Sequence, residues 1–224
     1  MKKVLMLFLF VLVFSAVVQA ETIDLAVLMD ASISNYQYNG NLNNGGINTM
    51  YFGKATDGSS WDMLLKFDLT ELENVEYVED ATLNLFFSFS MTGSALQMDA
   101  SLITENWDES SVTWNNQPNA AISAFSSAVI DGYSDVFKWF SIDITDAINA
   151  WKNGSSADYG ILLSSPTEAL KNQVMQFRSS EYSQSVYHPY VTVNCTKTVT
   201  PEPISFVLFS LGLGVSAFFR RIRG

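Results

Sequence analysis

The chain has 224 residues, 12 basic and 23 acidic side chains, one histidine and one cysteine. A single cysteine excludes an intramolecular disulfide, and one histidine with one cysteine excludes the usual nitrogen and sulfur ligands of a zinc site. Five of the basic groups and one acidic group fall in the terminal segments, so residues 21–199 hold seven basic against 22 acidic groups, a net of −15. A domain this acidic repels polyanions, which makes nucleic acid and bare anionic glycans poor partners unless a cation bridges them.

The N-terminus reads as an export signal. Lys2 and Lys3 precede an apolar run from Val4 to Phe14, and small or branched residues follow up to Val18-Gln19-Ala20. A basic start, an apolar core and a small residue at the end are the three parts of a secretory signal, with cleavage expected after Ala20. Residues 1–20 are accordingly assigned to a signal helix and residues 21–199 to the exported domain.

From residue 23 onward, period-two alternation dominates. Met63, Leu65, Phe67 and Leu69 alternate with Leu64, Lys66 and Asp68; Leu83, Leu85, Phe87 and Phe89 with Asn84, Phe86 and Ser88. Leu96, Met98, Ala100 and Leu102 form a third apolar set, and Phe140, Ile142 and Ile144 a fourth. Each predicts a strand with one face toward a core and one toward water. Further strands are expected near 23–29, 48–52, 159–164, 173–179 and 190–195, the last ending at Cys195, a buried structural thiol. Many short strands between Gly, Asn and Ser clusters indicate an all-β protein, an antiparallel β-sandwich with one short helix. That helix is expected at 146–153, where Ala147, Ile148 and Trp151 share a face, Thr145 or Asp146 can cap the start and Gly154 can stop the end.

The stretch 34–48 holds six asparagines and three glycines around Tyr36 and Tyr38, the composition of a long surface loop, where binding residues concentrate. Candidate ligand-binding residues are the aromatics in polar company, Tyr36, Tyr38, Trp61 and Tyr182, whose rings suit the apolar faces of sugars. Arg178 and Glu181 are read as a structural pair at a strand end, with Arg178 also able to grip a carboxylate in a bidentate fork. Trp107, Trp114 and Trp151 read instead as core tryptophans that brace loops. Asp30 and Asn35 offer oxygens to a hard cation. Catalysis has little to draw on: there is no Gly-x-Ser-x-Gly elbow, and Glu105, Asp108 and Glu109 supply a facing pair of carboxylates only on paper, in a very acidic domain. The chain is therefore expected not to be an enzyme.

After Thr200, Pro201-Glu202-Pro203 leads into an uncharged stretch, Ile204 to Phe219, and then Arg220, Arg221 and Arg223. Sixteen helical residues span about 24 Å, slightly short of a bilayer core, with the arginines on the cytoplasmic side. Triplet, hydrophobic helix and terminal arginines, in that order, resemble the PEP-CTERM sorting tail over residues 200–224. The resemblance implies an exosortase-type membrane processing enzyme as partner, transient anchoring in the membrane, and delivery to the surface or extracellular matrix of a bacterium.

Within the domain, the run Asn106-Trp107-Asp108-Glu109-Ser110-Ser111-Val112-Thr113-Trp114-Asn115-Asn116-Gln117-Pro118 is the most distinctive. It is preceded by Asp30-Ala31-Ser32-Ile33 and Leu64-Leu65-Lys66-Phe67-Asp68-Leu69, and followed by Phe140-Ser141-Ile142-Asp143-Ile144 and Phe177-Arg178-Ser179-Ser180-Glu181. In that order, over residues 24–195, these motifs resemble the DNRLRE domain, although basic content around Arg178 is low. The resemblance implies a jelly-roll-like sandwich, carbohydrate binding to an extracellular polysaccharide, and a structural calcium. A spacer or assembly protein without a glycan ligand is the alternative.

Overall fold

The computed structural model describes residues 17–36, 40–166 and 173–199. The segments 1–16 and 200–224 lie outside the described residues, and with them the apolar core of the expected signal and the sorting tail Pro201, Glu202, Pro203, Arg220, Arg221 and Arg223. Among the described residues no helix is long and apolar enough to cross a membrane. Residues Ala20–Thr196 form one compact unit.

The unit is an all-β sandwich whose described strands pair antiparallel wherever their register is resolved. In chain order they are β1 (Val17–Ser34), β2 (Thr49–Lys54), β3 (Ser60–Phe67), β4 (Val75–Ser90), β5 (Leu96–Leu102), β6 (Ser126–Ile130), β7 (Lys138–Asp143), β8 (Ile161–Ser164), β9 (Gln173–Arg178) and β10 (Tyr190–Val199), with helix α1 (Thr145–Lys152) between β7 and β8. On one side β3 lies between β1 and β8, followed by β5 and β6; on the other β9 lies between β2 and β4, and β7 flanks β4. A short β2–β3 pairing at Gly53↔Trp61 joins the two sides.

The predicted alternation fills the space between the sheets. Met50 and Phe52 of β2 sit opposite Phe177 and Met175 of β9, and Leu83 and Leu85 of β4 opposite Ile142 and Phe140 of β7. All eight are buried in one cluster with Met63, Leu65 and Phe67, and Cys195 lies buried there too. Full burial of each such side chain contributes about 1.5–3 kcal/mol, which allows the core to hold without staples.

Three expectations are corrected. Leu64, assigned to a solvent face, is fully buried: it pairs with Ala31 and Leu162 on the outer side of β3, under a second apolar cluster completed by Ile33, Ile103, Trp107 and Val112. Phe89, assigned inward with Phe87, is 48% exposed, because the β4–β9 register shifts between those two residues and turns it outward. The helix start is capped by neither Thr145 nor Asp146 but by the Asp143 carboxylate, which accepts the Thr145 N–H at 2.8 Å; Thr145 Oγ1 instead accepts the Ala81 N–H. Gly154, at φ 73°, ends the helix as its left-handed conformation allows.

Candidate functional site

The outer surfaces of the two sides differ. Over β1, β3, β8 and β5 the 104–121 segment folds back as a cover. Trp107 is buried and donates its indole N–H to the Tyr159 carbonyl at 2.8 Å. Asn116 accepts both the N–H and the hydroxyl of Thr113, closing a tight turn over Trp114. Two of the three candidate carboxylates are held within this cover: Asp108 accepts the Ser110 N–H, and Glu105 accepts the Asn119 N–H. Trp107 and Trp151 are core residues, as expected, and Trp114 packs against the second cluster.

The Asn-rich loop grips the cover from the side. Asn43 Nδ2 donates to the carbonyls of both Glu109 and Val112, and Asn44 Nδ2 to that of Ser32. Gly45 bridges to Ala31, and a Cβ there would fall on the Glu109 carbonyl, which explains a glycine at this point.

Among the described residues no such cover lies over β2, β9 and the end of β4 around Phe89. Because Met50, Phe52, Met175 and Phe177 point inward, Tyr51, Val174 and Gln176 point out, and the bulge adds Phe89 to the same row. These residues floor an open groove of about 610 Å³. One wall is the Asn-rich loop with Leu42, Asn44 and Ile47; the other includes the β2–β3 turn with Thr56 and Asp57. At one end stand Tyr36 and Trp61, ring centroids 5.1 Å apart and tilted by 42°. Tyr36 is 52% exposed, and its N–H is held by Ser34 Oγ. The structure thus brings together two of the predicted binding aromatics, whereas Tyr38 lies outside the described residues.

The other candidates lie apart from this groove. The Arg178 guanidinium stacks 4.1 Å above the Tyr182 ring and makes no ion pair with Glu181. Tyr182 belongs to a separate line of aromatics that runs through Tyr187, Phe86 and Trp139 to Tyr190, and its carbonyl is 2.6 Å from His188 Nε2. Asn35 is absent from the carboxylate cluster described next; its side-chain oxygen accepts the Ser60 N–H at 2.8 Å, anchoring the start of β3.

Glu181 turns instead toward Asp30. Asp30 of β1, Glu109 of the cover and Glu181 of the turn after β9 place one carboxylate oxygen each within 4.8 Å of one another. Asp30 is buried and accepts the Ser180 N–H at 2.8 Å, and Glu109 accepts the Asp30 N–H at 3.1 Å. Burial pushes the Asp30 carboxyl up to about 7, opposed by the Ser180 N–H and reinforced by Glu181. Burial likewise raises Glu109, with Glu181 and Asp108 adding to the shift. An all-oxygen donor set of three carboxylates suits a hard cation such as calcium, and the strain of crowded like charges is what such an ion would relieve.

Sequence reasoning did not find Tyr51, Gln176, Phe89 or Glu109 as site residues. Tyr51 did carry a signal, being an aromatic out of phase with the inward pair Met50 and Phe52.

A sequence model of a known family matches residues 21–195, from the first residue of the expected domain to the last core position of β10. The chain belongs to carbohydrate-binding module family 96. Family 96 is a family of binding modules, and the match spans every strand that builds the groove. Part of the chain is also similar to a stretch of much longer Bacillus proteins described as tRNA nucleases. It is 31% identical over 135 residues to the tRNA nuclease WapA of Bacillus subtilis strain 168, and 29% over 133 residues to the tRNA3(Ser)-specific nuclease WapA of Bacillus spizizenii. Each alignment covers 59% of this chain but 5% of the relative.

Proposed function

We propose that this family 96 domain is a non-catalytic module that binds an extracellular polysaccharide in the groove over β2, β9 and β4. The observation that carries the reading is the Tyr36–Trp61 pair at the end of an open, aromatic-floored groove. Aromatic faces stack on the apolar faces of pyranose rings, while Gln176 and the tyrosine hydroxyls can exchange hydrogen bonds with sugar hydroxyls. The Gln176 backbone carbonyl accepts the Ser88 hydroxyl, while among the described residues no hydrogen bond holds its side-chain amide.

The reading includes the cell biology that the two ends imply: export with cleavage after Ala20, a DNRLRE-type surface domain, and a PEP-CTERM tail processed near Pro201-Glu202-Pro203 by an exosortase. Mass spectrometry of the mature protein checks both cuts, the expected N-terminus being Glu21. The reading also includes a calcium ion held by Asp30, Glu109 and Glu181. Bound there, it would neutralise the cluster and tie the cover to β1 and to the turn after β9. Added calcium is expected to raise the melting temperature, and Glu109→Gln and Glu181→Gln to abolish the rise; an unchanged melting temperature in the native protein would argue against the ion.

The deciding experiment is binding of the purified protein to a panel of immobilised polysaccharides, with Tyr36→Ala as the control. Saturable binding that weakens about tenfold in the variant supports the module. A folded protein that binds no member would leave the spacer protein as the better reading.

A further inference from the structure

Resting on that reading of the groove, we propose that the bound glycan continues past it onto a second stacking platform, Trp139 of β7 and Phe137 just before that strand, so that the module holds an extended stretch of one chain. Register places this platform on the groove's own sheet face. Phe87 of β4 pairs with Phe177 of β9 along one edge and with Lys138 of β7 along the other. One position along, Arg178, Phe86 and Trp139 therefore come level on the outer side, Phe86 and Trp139 as direct partners. Gln176 of the groove floor precedes Arg178 by two residues, about 7 Å along β9. The aromatic row is thus the next outward row after Tyr51, Gln176 and Phe89.

Two observations direct these rings at a ligand. Trp139 is 38% exposed although Phe86 and Tyr190 brace it edge-on, with ring centroids 5.5 and 5.1 Å away at 75° and 77°. An indole already held in place meets a sugar ring with little rotamer freedom left to lose. Phe137 is the one non-glycine with a positive φ among the described residues, 61°, and its ring is 72% exposed. That region is strained for a bulky side chain, and the Phe137 N–H, donated to the Phe87 carbonyl at 2.8 Å, holds it there. The ring fills no part of the core, so what the strain achieves lies outside the folded chain.

Polar groups flank the aromatic row on both sides, which suits a sugar rather than a lipid or an apolar peptide. Gln176 lies on the groove side. On the other, Ser141 Oγ donates to Asn84 Oδ1 at 2.8 Å, and Asn84 Nδ2 to Thr192 Oγ1 at 3.2 Å. These hydroxyls keep lone pairs for sugar hydroxyls. Strands β2 and β7 lie three strand spacings apart, about 14 Å, and the Tyr36–Trp61 pair stands beyond β2. Only a chain of several sugars touches both ends, and contacts linked on one chain reinforce each other.

The test uses the full-length protein in mild detergent and the polymer that binds best among a β-glucan, a galactomannan and a polygalacturonate, cut to its trisaccharide and dodecasaccharide. Trp139→Ala and Phe137→Gly are each expected to weaken dodecasaccharide binding about tenfold and leave trisaccharide binding unchanged, whereas Trp139→Tyr keeps most of the native affinity. Phe137→Gly should also melt no lower than the native protein, because glycine accepts a positive φ; circular dichroism reads this and checks the fold of each variant. Native dodecasaccharide affinity in Trp139→Ala and Phe137→Gly, with binding still lost in Tyr36→Ala, would overturn the inference and uphold the groove. Self-association in sedimentation that Trp139→Ala removes, with sugar affinity unchanged, would give the rings to a second copy instead. Equal losses for both chain lengths would overturn the platform too, since the rings would then act on the groove itself. Absence of binding to all three polymers would overturn both readings.

Discussion

The two outer faces of this sandwich are built from the same kind of strand, yet one is closed and the other open. Over β1, β3 and β8 the outward residues Ala31, Ile33, Leu64 and Leu162 are apolar, and the Trp107 segment covers them as a second core. Over β2, β9 and the end of β4 the outward residues are Tyr51, Gln176, Phe89 and the largely buried Val174, and they floor an open groove. Apolar aliphatic residues on both faces of a strand demand a lid, whereas amphipathic aromatics and amides tolerate water and remain free for a ligand. The tryptophan-rich motif, most conspicuous in the sequence, therefore serves stability, and the proposed binding site falls on the quieter face.

That contrast can be broken by substitution. Trp107→Ala should have the largest effect, a loss of about 3–5 kcal/mol in denaturant unfolding, since it empties the second core and strands the Tyr159 carbonyl. Glycan affinity of the fraction that remains folded should be unchanged; a parallel loss would mean that the cover also shapes the groove.

Asp30→Asn comes next, and its sign depends on pH. With the folded pKa near 7, above the unfolded value of 3.8, the native state binds more protons between those limits. Stability is then full below about pH 4 and declines as pH rises through 7. In chelator the variant should exceed the native protein at pH 8 by on the order of 2–4 kcal/mol, and the gap should close by pH 4. In calcium the order should reverse, because the ion would lose a ligand.

Gly45→Ala should cost about 1–3 kcal/mol by forcing the Asn-rich loop off the Glu109 carbonyl, read as a lower melting temperature. The smallest change in stability is expected for Tyr36→Ala, within about 0.5 kcal/mol for an exposed ring. It is nevertheless the substitution that should remove most of the glycan binding. A variant that keeps full affinity would move the site away from the Tyr36–Trp61 end.

The strands were legible where a single face is buried. Leu83, Leu85 and Phe87 needed only their period to reveal β4. β6 was missed because Ser126-Ser127-Ala128-Val129-Ile130 pairs along one edge only, leaves Val129 exposed and has almost no apolar contrast between its faces. Of the site, Tyr36 and Trp61 could be named from their polar surroundings, although nothing local shows that they would meet.

By itself the sequence determined what is local: strand periods, the turn-rich loop, the Gly154 helix stop and the acidic balance of the domain. These depend on backbone geometry and composition within a few residues. Only the tertiary structure decided which carboxylates meet and which aromatics remain in water. Asp30 and Glu109 are 79 positions apart and become neighbours because β1 and the cover pack together. A one-residue bulge turned Phe89 from core to groove, and the folded-back Trp107 segment closed one face of the sandwich while its counterpart stayed open.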